Sequence, residues 1–423
     1  MKLLFNIILL FVTLNVYGSE ITFTSLKIKA FPQEYDLFLN KNIQKPVQVT
    51  NNIREYLIPT NSDMFYLRSK GFHDKYIFLK QFSNLDYLEL KMEQVESSLI
   101  YTDILETGSQ PKSVEFSENG EYFAVALLNG EGIEIYSLKK MERIYSLSPP
   151  SEWSKKKGFV ETVFFKTRNE LWVSQMTTGM IHVFDTRTWK YKLSFDSGGS
   201  WPKVITLNKN EDTAYISNWT SKNISVIKTS DYSIIKTIPV NGIPRGMAIS
   251  PEQNFLYVGN FTSGDINKID LEKNALIKNI DLGNGALRHV VVSTKNRKLY
   301  ISDMYHGTVS VLDLKTDTVE RSFYAGSNIN TIKLSTDEKK LYISSRGRNN
   351  EEGYLQKGPE FGKIYVYDTV LKKITDWTWG GNQPTGLAVS SDGSTVAFSD
   401  FLDHRVEIYH LQPYGEMAVL PTD

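Results

Sequence analysis

Along most of the chain, short runs of Val, Ile, Leu, Tyr and Phe are separated by turns rich in Gly, Asn, Asp and Ser, and this pattern returns at a fixed interval. "AYISN" begins at Ala214, "LYVGN" at Leu256, "LYISD" at Leu299 and "LYISS" at Leu341, 42 or 43 residues apart. Each unit reads as a turn with Pro, an alternating apolar segment, a polar turn, the "LYVGN" run, a Gly or Asn turn, a run such as "INKID", a charged turn and a last run such as "ALIKNIDLG". Four short apolar runs in each period predict the four strands of a β-propeller blade. Helical repeats would carry a 3.6-residue apolar period inside each unit, and these units do not.

The units fall at 109–150, 158–199, 200–242, 243–285, 286–327, 328–381 and 382 to about 411. The seventh stops after "VEIYHL", one strand short. The segment "SSLIYTDILETGSQP" at 97–111 is similar to "DYSIIKTIPVNGIPR" at 230–245, the end of one unit running into the next, so it supplies the missing outer strand. Such a strand closes the ring and removes two exposed sheet edges at once. The predicted fold is all-β, a seven-bladed propeller closed by an N-terminal strand.

The segments "YISN", "YVGN", "YISD" and "YISS", with the preceding G-x-P-x-G-(M/L)-A-(I/V)-S pattern, resemble the YVTN-repeat family of β-propellers over residues 97–411. The resemblance implies a fold and leaves activity open, because propellers carry many unrelated functions. The tyrosine of each copy is expected in the core between blades, and the closing Asn or Asp is expected to accept hydrogen bonds in the following turn.

The first residues, "MKLLFNIILLFVTLNVYGSE", combine Lys2, an apolar run from Leu3 to Leu14 and small residues before a cut after Gly18. This is the pattern of a secretory signal peptide at 1–18, and the run is shorter than the roughly 20 residues that span a bilayer. With no cysteine in the chain, there are no disulfides and no lipoprotein cysteine at the cleavage site. The expectation is a bacterial protein that is exported, periplasmic, on the outer surface or secreted, without a transmembrane anchor and monomeric. Residues 19–95 fall outside the repeat; their alternating segments, with "LNKN" as a hairpin turn, resemble a small PEGA-like β-sandwich. The propeller then occupies 96–413, and 414–423 form a tail.

Lysine plus arginine equals aspartate plus glutamate, 48 each, so no overall field steers the protein to nucleic acid, and charge-driven function has to be local. Aligning the unit starts places Lys112, Glu161, Lys203, Arg245, Arg288, Asn330 and Thr385 at one position of the innermost strands, around the channel mouth. Four of these seven are basic, which suits a carboxylate or phosphate if they converge and does nothing if they splay into solvent. Turns expected on the same face carry Met176, Trp219, Phe261, Met304, Tyr305, His306 and Phe401. The sixth unit carries an insertion, "RGRNNEEGYLQKGPEFG" at 346–362, which adds Arg346, Arg348 and Tyr354.

The six histidines form no H-E-x-x-H pattern, and there is no G-x-S-x-G elbow or phosphate-binding glycine loop. Since some seven-bladed propellers are lactonases, Glu161, His289, Asp303 and His306 are weighed as a metal site for a metal-assisted hydrolase. The reading favoured over it is a non-catalytic binding propeller without a cofactor. It would recognise an anionic small molecule, a glycan or a protein partner through Lys112, Lys203, Arg245, Arg288, Arg346, Arg348, Tyr354, Trp219 and Tyr305. An adhesive or envelope-structural role is the third possibility. "NWT", "NIS" and "NFT" at Asn218, Asn223 and Asn260 match the glycosylation acceptor pattern, which chance explains in turns so rich in Asn.

Overall fold

The computed structural model of the chain describes residues 14–16, 19–39, 42–69, 72–79, 86–92 and 97–411. Most of the expected signal peptide, its cleavage point and the tail 414–423 lie outside the described residues. The chain divides into two compact units, with the division between Ser97 and Ser98.

The first unit is a small β-sandwich. One sheet orders Tyr87–Lys91, Phe23–Phe31, Ile53–Pro59 and Gln48–Thr50; the other orders Asn42–Gln44, Asp36–Leu39, Met64–Arg68 and Lys75–Phe78. The strand alternation sends Leu26, Ile28, Leu37, Leu39, Tyr56, Ile58, Phe65 and Leu67 into one shared core. Leu39 pairs with Asn42 across the "LNKN" hairpin as expected.

In the second unit, seven four-stranded antiparallel sheets follow one another in sequence. Their innermost strands are Pro111–Phe116, Phe159–Phe164, Pro202–Leu207, Pro244–Ile249, Leu287–Ser293, Ile329–Leu334 and Pro384–Val389. Each packs against the next, and the last returns to the first, so the ring is closed. Blade seven takes its outer strand from Leu99–Glu106, which pairs antiparallel with Arg405–Leu411. Ser98 fastens the start of this strand to blade six: its backbone N–H and its hydroxyl both donate to Asp376, at 2.7 and 2.8 Å.

The recurring tyrosine packs as expected between blades. Tyr215 lies with Met247 and Val258 of the next blade, Tyr257 with Val290 and Ile301, Tyr300 with Ile332 and Ile343, and Tyr342 with Leu387 and Phe398. The inner strands approach closely enough to require glycine at two places. A Cβ on Gly246 would sit 2.8 Å from the backbone of His289 and Val290, and one on Gly386 would sit 2.7 Å from the backbone N of Val114. No other side chain fits where two strand backbones meet at that distance.

The ring closure is open to a direct stability test. Leu99, 2% exposed, packs with Phe398, Tyr409 and Leu411. Leu99→Ala should cost about 2–5 kcal/mol in urea denaturation. Val370→Ala, at a site 67% exposed, should stay within about 0.5 kcal/mol of the parent.

Candidate functional site: a cationic channel mouth

In every blade the ladder between the first two strands slips just after the first residue of the innermost strand, as between Pro111 and Ser113 or between Pro244 and Met247. The residue after that first one is Lys112, Val160, Lys203, Arg245, Arg288, Asn330 or Thr385. The structure thus corrects the alignment in blade two: Phe159 pairs with Gln175 as Pro244 pairs with Asn260, so Val160 is the equivalent residue and Glu161 lies one further on.

In blades two, three, five and six a buried serine holds the slip in place. Ser217 accepts the N–H of Val204 on its own inner strand at 3.1 Å and donates to the carbonyl of Arg245 on the next blade at 3.0 Å. Ser302 bridges the N–H of His289 and the carbonyl of Asn330 in the same way, at 2.9 and 2.8 Å. Ser344 bridges Thr331 and Thr385 at 3.0 and 3.3 Å, and Ser174 bridges Glu161 and Lys203 at 3.3 and 2.8 Å. Ser217, Ser302 and Ser344 are the Ser of the repeated "YIS", and Ser174 holds the same place in "WVS"; these are positioning residues that reading the sequence for charge alone passes over. The signal was their recurrence one place after the apolar core residue.

The clamped positions bring their side chains together. Lys112 stands within the field of Arg288, Arg346, Arg245 and Lys203, and burial together with these charges holds its amine well below the usual lysine range. Burial, then Arg245 and Arg288, push Lys203 down to about 6, opposed by Glu161. Arg245 is 3% exposed and donates to Glu161 at 3.0 Å, while its Nε and Nη1 have no hydrogen-bond partner among the described residues. Arg288 donates to Asn330 at 2.9 Å. Arg346, 3% exposed, donates to Gln383 and leaves its own Nε without a partner among the described residues. Burial lowers all three arginines, Arg346 to about 10, yet a guanidinium keeps its proton where a buried lysine readily gives it up.

Aromatic and sulfur groups wall the cluster. Lys203 donates to the Met176 sulfur at 3.0 Å and lies over the rings of Trp201 and Trp219, at 5.2 and 5.3 Å. Trp219 packs on Phe261 at 4.7 Å. Lys112 lies over Phe401 at 4.6 Å, and Phe401 is fully buried rather than displayed at the mouth. The blade-six insertion delivers Tyr354, whose carbonyl accepts from Gln383 at 2.8 Å and whose ring lies 5.5 Å from the Arg346 guanidinium. Lys357 secures the same insertion to Asp403 at 2.7 Å.

Other candidates do not join them. The Arg348 side chain is 69% exposed and pairs with Glu360 inside the insertion. Tyr305 is 76% exposed and packs edge-on to His306. Asp303 spends its carboxylate on His306 Nδ1 at 2.6 Å and on the N–H groups of Ala286 and Tyr305, both at 2.9 Å. It is thus the turn acceptor that the repeat predicts. Asn218 accepts from the Ser197 hydroxyl at 3.0 Å and donates to Asn223 and Ser225, while Asn260 donates to Asp265. Both are fully buried, which closes them as glycosylation sites. Glu161 faces Arg245, and at the half-buried His289 desolvation first, then Lys333, Arg245 and Arg288, hold the imidazole well below the usual range. Among the described residues no three His, Asp or Glu side chains gather to hold a metal ion, so the quartet weighed from sequence does not assemble.

Fold and site together define a seven-bladed β-propeller with a cationic channel mouth. A family model described as "Lactonase, 7-bladed beta-propeller" matches residues 268–418. The chain belongs to the family of antigen Lp49 of Leptospira interrogans serogroup Icterohaemorrhagiae serovar copenhageni, to which it is 38% identical over 346 residues, spanning 78% of this chain and 75% of that one. Among solved structures it is similar to hydrazine synthase of Kuenenia stuttgartiensis, with a TM-score of 0.62 and 16% identity over 74% of this chain and 97% of that chain. At that identity the likeness concerns the fold alone. No helix among the described residues is long and apolar enough to cross a membrane.

Burial of Lys203, together with the arginines around it, makes stability depend on pH. Its folded value of about 6 lies under the ordinary 10.5, so between those values the unfolded chain binds more protons and the fold loses stability as pH falls. Lys203→Met removes this penalty. Its thermal midpoint should exceed the parent's at pH 6 to 7, and the gap should close toward pH 10.

Proposed function

We propose that the protein is an exported binding propeller whose channel mouth takes an anionic ligand. One observation carries this reading: Arg245 and Arg346 are buried with guanidinium N–H groups that have no partner. A buried donor left unmade costs about 1–3 kcal/mol, and more when charged, so a site that keeps several is organised for an acceptor from outside. Carboxylate and phosphate oxygens match guanidinium geometry. The antigen named for the related protein supports export or surface exposure for this chain. The YVTN-type repeat, the PEGA-like character of the first unit, the cleaved leader and a monomeric state belong to the same reading.

A second reading is lactone hydrolysis at the same mouth, favoured by the family model over residues 268–418. There the arginines would stabilise the oxyanion formed when water adds to the lactone carbonyl, and the amine of Lys203 would accept the water's proton.

One experiment addresses both. In a thermal-shift titration, carboxylates or phosphates should raise the parent's midpoint, with a stabilisation of about 2.7 kcal/mol at a hundredfold excess over Kd. The shift should vanish in the double variant Arg245→Ala, Arg288→Ala. Proton release from a δ-lactone in a pH-stat, present in the parent and lost in Lys203→Met, would favour hydrolysis. An anion shift unchanged in the double variant would overturn the channel as the site.

A further inference from the structure

The charges at the mouth do not balance, and the imbalance defines the ligand more narrowly. Arg245, Arg288 and Arg346 bring three guanidinium charges, and Glu161 answers one of them through its ion pair with Arg245. Two positive charges are left over before the lysines are counted. Lys112 and Lys203 stand in the same field, each repelled by Arg245 and Arg288. The groups facing Lys203 are Glu161 and Met176 of blade two, Arg245 of blade four, Arg288 of blade five, Lys112 of blade one, and the rings of Trp201 and Trp219. Those facing Lys112 are Arg245, Arg288, Arg346, Lys203 and the Phe401 ring.

Resting on the anion-binding reading above, we propose that the channel mouth takes a small ligand bearing two or more negative charges, and that its entry draws protons from solvent onto Lys203 and Lys112. A single carboxylate would leave one guanidinium charge uncompensated in a buried site, which is costly. A second anionic group cancels it. Further negative charge reverses the local field at the two amines, so that each Nζ gains an N–H bond with a proton supplied by the buffer. The added ammonium groups then pair with the ligand oxygens that summoned them. Binding and proton uptake are thereby one linked equilibrium, and affinity should rise as pH falls from 8 toward 6.

Isothermal titration of the full chain with acetate, malonate and citrate, at pH 7.5 and fixed ionic strength, tests this directly. Malonate should bind at least about tenfold tighter than acetate, since one more charge pair at contact distance is worth more than a factor of ten even with strong screening. Citrate should bind tighter again. Repeating the citrate titration in buffers of low and high ionisation enthalpy should reveal net proton uptake, reduced in Lys203→Met, which the stability argument above leaves well folded. Acetate binding as tightly as malonate and citrate, and lost in Arg245→Ala, would overturn the charge requirement while leaving the anion site standing. Tight citrate binding with no buffer dependence would overturn the proton linkage. No binding by any of the three would overturn both this proposal and the reading beneath it.

Discussion

The hydrogen-bonding serine at the end of each "YIS" run is the contact on which the channel depends. It joins an N–H on the inner strand of its own blade to a carbonyl on the inner strand of the next, and so fixes neighbouring blades at their narrowest point. Both backbone groups sit just where the strand ladder slips, and without the hydroxyl they would be buried unpaired. The carbonyl it holds belongs to the residue whose side chain enters the mouth: Lys203, Arg245, Asn330 or Thr385. Blades one and four depart from this: Ala126 stands at that place in blade one and Gly259 in blade four, where Leu287 and Val290 of the next blade pack against the space.

Ring closure gives that contact its consequence. Leu99–Glu106 completes the last sheet, and the seven inner strands meet around one axis. Once the ring is shut, side chains from positions far apart in sequence cannot avoid one another. Five cations from blades one, three, four, five and six are crowded together, held by cation–π contacts to Trp201, Trp219 and Phe401 and by the carboxylate of Glu161. Burial first, and then repulsion of this kind, holds the amines of Lys112 and Lys203 low, which weighs against folding. On the proposed reading, an anion entering the mouth relieves that cost.

Much of this was legible in the residues. Periodicity alone gave seven blades, the closing strand and the buried tyrosines, because strand alternation and turn chemistry are local and each unit repeats them. Lys112, Lys203, Arg245 and Arg288 could be aligned because proline or its substitute marks the start of their strands. Blade two lacks that proline and starts at Phe159, and there the alignment slipped by one residue to Glu161. The metal quartet failed for a different reason. His306 and Asp303 lie in a turn and satisfy each other, and nothing in their spacing revealed that the carboxylate was already committed to the turn's own N–H groups. Whether the turn aromatics are displayed or packed was open from the residues, and Phe401 is a buried support for Lys112, a distinction that depends on how the seventh blade packs on the first.

The central claim is that the mouth is a site for anions. The most direct measurement is anomalous diffraction from crystals of the full chain soaked in selenate, whose selenium marks the anion without ambiguity. The account predicts a strong peak among Lys112, Lys203, Arg245, Arg288 and Arg346, within hydrogen-bond distance of the unpaired guanidinium nitrogens. Selenate found only against exposed surface lysines, with the mouth empty at full soak concentration, would contradict it.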